Sequence, residues 1–264
     1  MDLYRIKDPR FLKDLSLREL TELAEAIRAF LLDTIPKTGG HLSSNLGTIE
    51  LTIALHYVFD SPNDAILFDV GHQAYTHKIL TGRAKDFATL RQTGGLSGYT
   101  NYRESEHDQW ESGHAGSSLS ALMGTLLAKG MKQDDGEAIA VIGDASITNG
   151  MAFEALNLLG SRKDMRGIIV LNDNDMSISK SVSSFSRALT RFRSMRIVFR
   201  MKRFWQGVLP RFLIDFISRI KRGIRGFLQR KNIFEDLGYM YIGPLDGHDI
   251  KSLIYNLKRI KRID

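Results

Sequence analysis

Apolar residues recur at helical spacing through SLRELTELAEAIRAFLLD (16–33). Ser16 precedes the run and Glu19 follows three residues later, so the stretch predicts a capped amphipathic helix. A glycine-rich turn, KTGGHLSSNLG (37–47), comes next, and TIELTIALHYVF (48–59) predicts a second helix. The period then changes. AILFDVG (65–71), EAIAVIGDAS (137–146) and RGIIVLNDND (166–175) are short apolar, β-branched runs that turn abruptly polar. Each predicts a buried strand, with a helix over NGMAFEALNLLGS (149–161) between the last two. Strands alternating with helices imply an α/β fold, a mostly parallel sheet with helices on both faces. Ligands of such sheets gather at the carboxyl ends of the strands, where DVGH, GDAS and LNDND fall. Near the end, YMYIGP (239–244) reads as a further strand. DGHDIKSLIYNLKRI (246–260) reads as a helix that His248 caps or orients.

Composition refines this picture in two places. With 264 residues, 43% of them hydrophobic, the chain has enough apolar mass for a core, and it reads as one domain over 1–264. The net charge of +7 is uneven. Between Arg187 and Lys231 there are 14 Lys/Arg against the single acid Asp215, leaving 23 basic and 29 acidic side chains elsewhere. The basicity therefore belongs to an insertion at about 185–231 and not to the α/β unit. Within it Phe204, Trp205, Val208, Leu209, Phe212, Leu213, Phe216, Ile217 and Ile220 recur near i, i+4 spacing, with Pro210 starting or kinking a helix. A packed helical excursion with a solvated cationic face is the plainest reading. Docking to a partner domain and contact with an acidic membrane are the alternatives. Nucleic acid fits least, because no base-reading motif accompanies the charge. The sequence holds no cysteine, which excludes disulfides and thiolate metal sites and points to the cytoplasm. No run of about 18 uncharged apolar residues is present, and the charged MDLYRIKDPRFLKD is not a secretory signal.

The chemistry concentrates in two loops. Asp144, in Gly143-Asp144-Ala145-Ser146, and Asn174, in Asn172-Asp173-Asn174-Asp175-Met176, are 30 residues apart, each just beyond a strand. Adjacent parallel strands bring such loops together. A carboxylate and a carboxamide oxygen there suit a hard cation such as Mg²⁺, with positions left for phosphate oxygens. The helix beginning near Asn149 would aim its N-terminal amides at the same anion. Taken singly, either loop is more often an Asp cap or an Asn turn. Likewise a lone histidine is more often structural, the reading given to His56, His77 and His107. His41 and His72 stand apart because both follow glycines in polar turns.

These loops resemble the thiamine-diphosphate motif that opens with Gly-Asp-Gly and closes with Asn about 30 residues later. More specifically, the chain resembles the 1-deoxy-D-xylulose-5-phosphate synthase family of transketolase-like enzymes. The resemblance rests on KTGGHLSSNLGTIELTIALHYVF, DVGHQAYTHKILTGR, GGLSGYTNYRESEHD, SGHAGSSLS, GMAFEALN, LNDNDMSIS and YIGPLDGHD, in order from about residue 37 to 249. It implies thiamine diphosphate and Mg²⁺ as cofactors. Asp144, Asn174 and the carbonyl of Met176 correspond to the metal ligands, and the amides of Ala145 and Ser146 to diphosphate contacts. Gly113, His114 and Ala115 match a cofactor-flanking Gly-His-Ser segment, and His72 lies beside the cofactor. His41 and His72 match catalytic histidines at the mouth of the site. The implied reaction has the thiamine C2 carbanion take pyruvate, release CO₂, and pass the two-carbon unit to glyceraldehyde 3-phosphate, feeding isoprenoid and thiamine synthesis.

Three departures from the family pattern shape the expectation. Ala145 stands where the family has glycine, which would cost about 1–2 kcal/mol if the position needs a positive φ. Ala115 removes a hydroxyl. The sequence ends at Asp264, where the family's first domain ends, without the pyrimidine-binding domain and its activating glutamate. The expectation is therefore a chain inactive alone, completed by a separate chain carrying that domain. A homo-oligomer is compatible with this reading. The alternatives are a split transketolase-type enzyme with other substrates, or a non-catalytic paralogue that docks to a membrane or partner through 187–231.

Overall fold

The computed structural model describes residues 1–173 and 233–263. The chain divides into a unit formed by Met1–Met176 with Leu245–Asp264 and a second unit, Ser177–Pro244. Asn174, Met176 and the basic stretch 187–231 lie outside the described residues.

In the first unit, helix α1 spans Leu17–Thr38 and opens on a complete capping box. The Ser16 hydroxyl accepts from the Glu19 amide at 3.3 Å, and the Glu19 carboxylate accepts from the Ser16 amide at 2.8 Å. The helix runs past the expected end at residue 33. Ile35 continues the buried stripe of Ile27 and Leu31, and its burial outweighs the hydrogen bond lost at Pro36. Gly39, at φ +77°, then ends the helix. The turn expected over 37–47 is itself partly helical, since α2 occupies Leu42–Leu46, followed by α3 at Ile49–Val58.

Strands β1 (Ala65–Phe68), β2 (Ala138–Gly143) and β3 (Ile168–Asn172) form a parallel sheet in that order. Alternation along each strand divides its side chains between two covered faces. Ile66, Phe68, Ile139, Val141 and Ile168 join a core with α1, α3 and α8 (Ile250–Lys261). Helix α5 (Ser118–Lys132) packs on β1 and β2 and against α6 (Gly150–Ser161). Close packing there leaves no room at Gly167, where a Cβ would lie 2.8 Å from Leu126. The short α4 (Tyr75–Lys78) follows β1. The α/β architecture read from the sequence is thus observed, with each described strand shorter than its apolar run suggested.

The last expected strand is not formed. YMYIGP has no ladder partner among the described residues and follows the one-turn helix α7 (Ile233–Asp236) in the second unit. Pro244 offers no amide to a ladder, and Met240 is 69% exposed, contrary to a buried strand. In the first unit, α8 is capped by Asp249, whose carboxylate accepts from the Ser252 amide at 3.0 Å. His248 orients that helix without capping it, its Nδ1 lying 3.0 Å from Glu50 Oε2 on α3. Among the described residues no helix is long and apolar enough to cross a membrane.

Candidate functional site

The carboxyl ends of the three strands are tied into one surface by hydrogen bonds that each strand end makes with its neighbours. The Asp144 amide donates to the Asn172 carbonyl at 3.1 Å, joining the ends of β2 and β3. The Asn172 carboxamide donates to Gln73 Oε1 at 3.4 Å, which links β3 to the turn after β1. That turn, Asp69-Val70-Gly71-His72, needs positive φ at Val70 (63°) and Gly71 (87°). A Cβ at Gly71 would sit 2.9 Å from the Thr100 amide, so only glycine lets the 94–117 loop approach.

Asp69 fixes the far end of this loop. Its buried carboxylate accepts from the amides of Gly116 (3.0 and 3.1 Å) and Ser118 (3.1 Å), at the start of α5. A carboxylate at a helix N-terminus satisfies orphan donors and complements the helix dipole. Next to it, the Gly113 amide donates to the Val70 carbonyl at 3.1 Å. Asn149 caps α6 through the Met151 amide and donates to the Ala115 carbonyl at 3.4 Å. The segments Gly113-His114-Ala115, Asp69–Gln73 and Asp144–Asn149 therefore share one network.

Ala145 has φ −72° and ψ −40°, ordinary right-handed backbone. The strain expected from the missing glycine is absent, because a Cβ is compatible with this conformation. Ser146–Thr148 forms a single 3₁₀ turn whose Thr148 hydroxyl donates to the Ala145 carbonyl at 2.7 Å. A Cβ at Gly143 or Gly113 would meet nothing within 4 Å, so open space fronts both. His114 and Ala115 are exposed. Among the described residues no three His, Asp or Glu side chains converge as a metal site.

His41 and His72 come together, with ring centroids 5.2 Å apart in an edge-to-face arrangement. Nδ1 of each is buried and has no hydrogen-bond partner among the described residues. Burial lowers the pKa of both. Arg91 adds to the effect at His41, and His41 adds to it at His72, against an opposing pull from Asp69. Two neutral imidazoles thus lie against each other at neutral pH. The Tyr99 ring stands 6.3 Å from that of His41.

His56, His77 and His107 take the structural role expected of them. His56 Nε2 meets His77 Nδ1 at 2.9 Å, and His77 Nε2 meets Asp108 Oδ1 at 2.9 Å. Arg83 closes on Asp108 through two nitrogens at 2.7 Å each. Lys78 pairs with Glu104, and His107 Nδ1 lies 3.0 Å from the Ser61 hydroxyl. Asp108 also accepts from the Asn101 amide at 2.7 Å, so this buried network anchors the loop that carries Tyr99. Composition gave no sign of Asp69, Asn45, Gln73 or Asn149 as organisers of the site. Their roles depend on contacts across 27 to 99 residues.

Residues 3–264 match the family model described as 1-deoxy-D-xylulose-5-phosphate synthase. The 1-deoxy-D-xylulose-5-phosphate synthase of Listeria innocua is 48% identical over 269 residues, covering 99% of this chain and 42% of the relative. That of Paraburkholderia xenovorans is 48% identical over 265 residues, covering 99% and 41%. The chain thus spans about two fifths of the length of the curated relatives it matches. Among solved structures, transketolase from Campylobacter jejuni superposes with a TM-score of 0.66 at 19% identity, covering 94% of this chain and 36% of the other. Transketolase from Leishmania mexicana gives 0.64 at 16% identity, covering 93% and 35%. These two establish a transketolase-like fold alone. By the family model and by close relatives across nearly its whole length, the chain belongs to the 1-deoxy-D-xylulose-5-phosphate synthase family, matching the N-terminal part.

Proposed function

We propose that this chain is the thiamine-diphosphate- and Mg²⁺-binding part of a 1-deoxy-D-xylulose-5-phosphate synthase, acting on pyruvate and glyceraldehyde 3-phosphate. The observation that carries the reading is the pair of buried, unpartnered imidazole nitrogens on His41 and His72, beside a turn bonded to the ends of β2 and β3. A buried polar atom without a partner costs about 1–3 kcal/mol, which favours a ligand that satisfies it.

The residues suit the cofactor. Asp144, Asn174 and the Met176 carbonyl offer hard oxygen donors of the kind Mg²⁺ takes. The amides of Ala145 and Ser146 and the N-terminus of α6 would meet the diphosphate, with open space in front of Gly143 and no strain at Ala145. Gly113, His114 and Ala115 would flank the cofactor. When bound, thiamine diphosphate supplies a nucleophilic carbon that allows pyruvate to lose CO₂ and its remaining carbons to join an aldehyde. His41 and His72, neutral at pH 7, would donate to an oxyanion or carry a proton at Nδ1. The hydroxyl missing at Ala115 removes one donor and leaves the backbone contacts of that segment.

Activation of the aminopyrimidine would come from a pyrimidine-binding domain in the remaining three fifths of the family's length, supplied in the same or another polypeptide. The test is deoxyxylulose 5-phosphate formation from pyruvate and glyceraldehyde 3-phosphate by this chain combined with that domain. Product formation that stops in Asp144→Ala supports the reading. No product in the presence of both cofactors and both parts overturns it.

A further inference from the structure

We infer that Asn45 is a positioning residue whose single carboxamide sets the distance and orientation of the His41 and His72 imidazoles. This rests on the reading above for its purpose, while the geometry stands independently.

Asn45 is fully buried and spends its whole carboxamide on three backbone groups. Nδ2 donates to the His41 carbonyl at 2.7 Å and to the His72 carbonyl at 2.8 Å. Oδ1 accepts from the Tyr75 amide at 2.9 Å. The two histidines are 31 residues apart in sequence, and this side chain is the bridge between their backbones. Tyr75 closes the circuit, since its hydroxyl accepts from the His41 amide at 3.4 Å. That hydroxyl reaches His41 only because residue 40 is glycine: a Cβ there would lie 2.7 Å from Tyr75 Oη. The Tyr75 ring is itself fully buried and meets Phe87 edge-on, which fixes the frame.

No other residue type reproduces the bridge. Aspartate would turn both donors into acceptors facing carbonyl oxygens. Glutamine adds a methylene in a space that is already filled, and leucine or alanine takes this partner from the His72 carbonyl and the Tyr75 amide, while the His41 carbonyl keeps only the backbone amide of residue 45 at 3.3 Å. With the His72 carbonyl released from the turn that carries His41, the two rings lose their fixed separation of 5.2 Å. The charged groups acting on the pair are Arg91 and Asp69 along with each other, with the Tyr75 hydroxyl on the His41 amide and the Tyr99 ring 6.3 Å from His41, so separation of the rings has a readable electrostatic consequence. His72 no longer feels His41, and its pKa moves up towards the ordinary value.

The experiment uses the full chain labelled with ¹⁵N-histidine, with the His41 and His72 signals assigned from His41→Gln and His72→Gln. Wild type should show a nuclear Overhauser contact between the two rings. In Asn45→Ala the contact should vanish and the His72 titration should shift upward, while the signals of buried His56 and His77 stay in place as a report of intact folding. Should Asn45→Ala fail to fold, the near-isosteric Asn45→Asp, which keeps the acceptor for the Tyr75 amide but loses the donors to the His41 and His72 carbonyls, should weaken the same contact in a folded chain. An unchanged ring contact and unchanged His72 titration in a folded variant overturn the inference. The readout needs no cofactor, so failure of thiamine diphosphate to bind wild type would count against the function and not against Asn45.

Discussion

Asp69 offers the sharpest quantitative test of how the site is held. Replacing it with alanine removes a buried carboxylate that accepts from two amides, those of Gly116 and Ser118. Hydrogen bonds to a charged acceptor contribute about 1.5–3 kcal/mol each, and the interaction with the α5 N-terminus adds about 0.3–1 kcal/mol. Both amides would be left buried without a partner, so the loss should be about 3–7 kcal/mol of unfolding free energy. Asn in place of Asp keeps an accepting oxygen but no charge, and should cost roughly half as much. Urea denaturation followed by circular dichroism measures both values. Because the Gly113–Ala115 turn hangs between Asp69, Val70 and Asn149, Asp69→Ala should also weaken thiamine diphosphate binding more than its stability loss alone explains. A destabilisation below about 1 kcal/mol would refute the anchoring role, since the two amides would then have found other partners at little cost.

Three further outcomes follow from the geometry. The folded-state pKa of His77 is depressed from 6.5 to about 4, chiefly by burial, so below pH 6.5 the unfolded chain binds a proton that the folded chain refuses. Its stabilisation is complete above pH 6.5 and is lost as pH falls from 6.5 to 4, by about 3 kcal/mol, which denaturation at stepped pH would detect and His77→Gln should flatten. Asp108→Ala leaves Arg83 buried without its bidentate partner and should cost about 3–5 kcal/mol, measured by urea denaturation, with Asp108→Ala/Arg83→Met recovering part of it. Gly116→Ala places a Cβ 2.7 Å from Asn149 at φ +84°, and should lower the melting temperature and weaken cofactor binding together.

The legible parts of the fold were those written in local periodicity. The apolar runs at 65–71, 137–146 and 166–175 each contain a strand because parallel strands buried on both faces need unbroken apolar sequence. Ser16 with Glu19 marked the first helix correctly because both bonds of the capping box lie within four residues. YMYIGP misled for the converse reason. Its composition suits a strand, but a strand exists only where a partner offers a ladder. The end of α1 was misplaced because burial of Ile35 overrides the local signal of Pro36. At the site, histidines beside glycines were visible as candidates. The residues that organise them were not, since Asn45, Asp69 and Gln73 look like ordinary turn or strand-end residues until the chain brings their partners close. Ala145 shows the opposite error: a family departure suggested strain, and the backbone conformation contains none.

The central claim is that the ends of β2 and β3 hold a metal-bound diphosphate. Calorimetric titration of the full chain with thiamine diphosphate tests it most directly, with and without Mg²⁺ and in wild type and Asp144→Ala. The account predicts saturable binding at one site, dependent on Mg²⁺, and weakened at least tenfold in Asp144→Ala. Absence of binding with Mg²⁺ present, or binding indifferent to both the metal and Asp144, would contradict it.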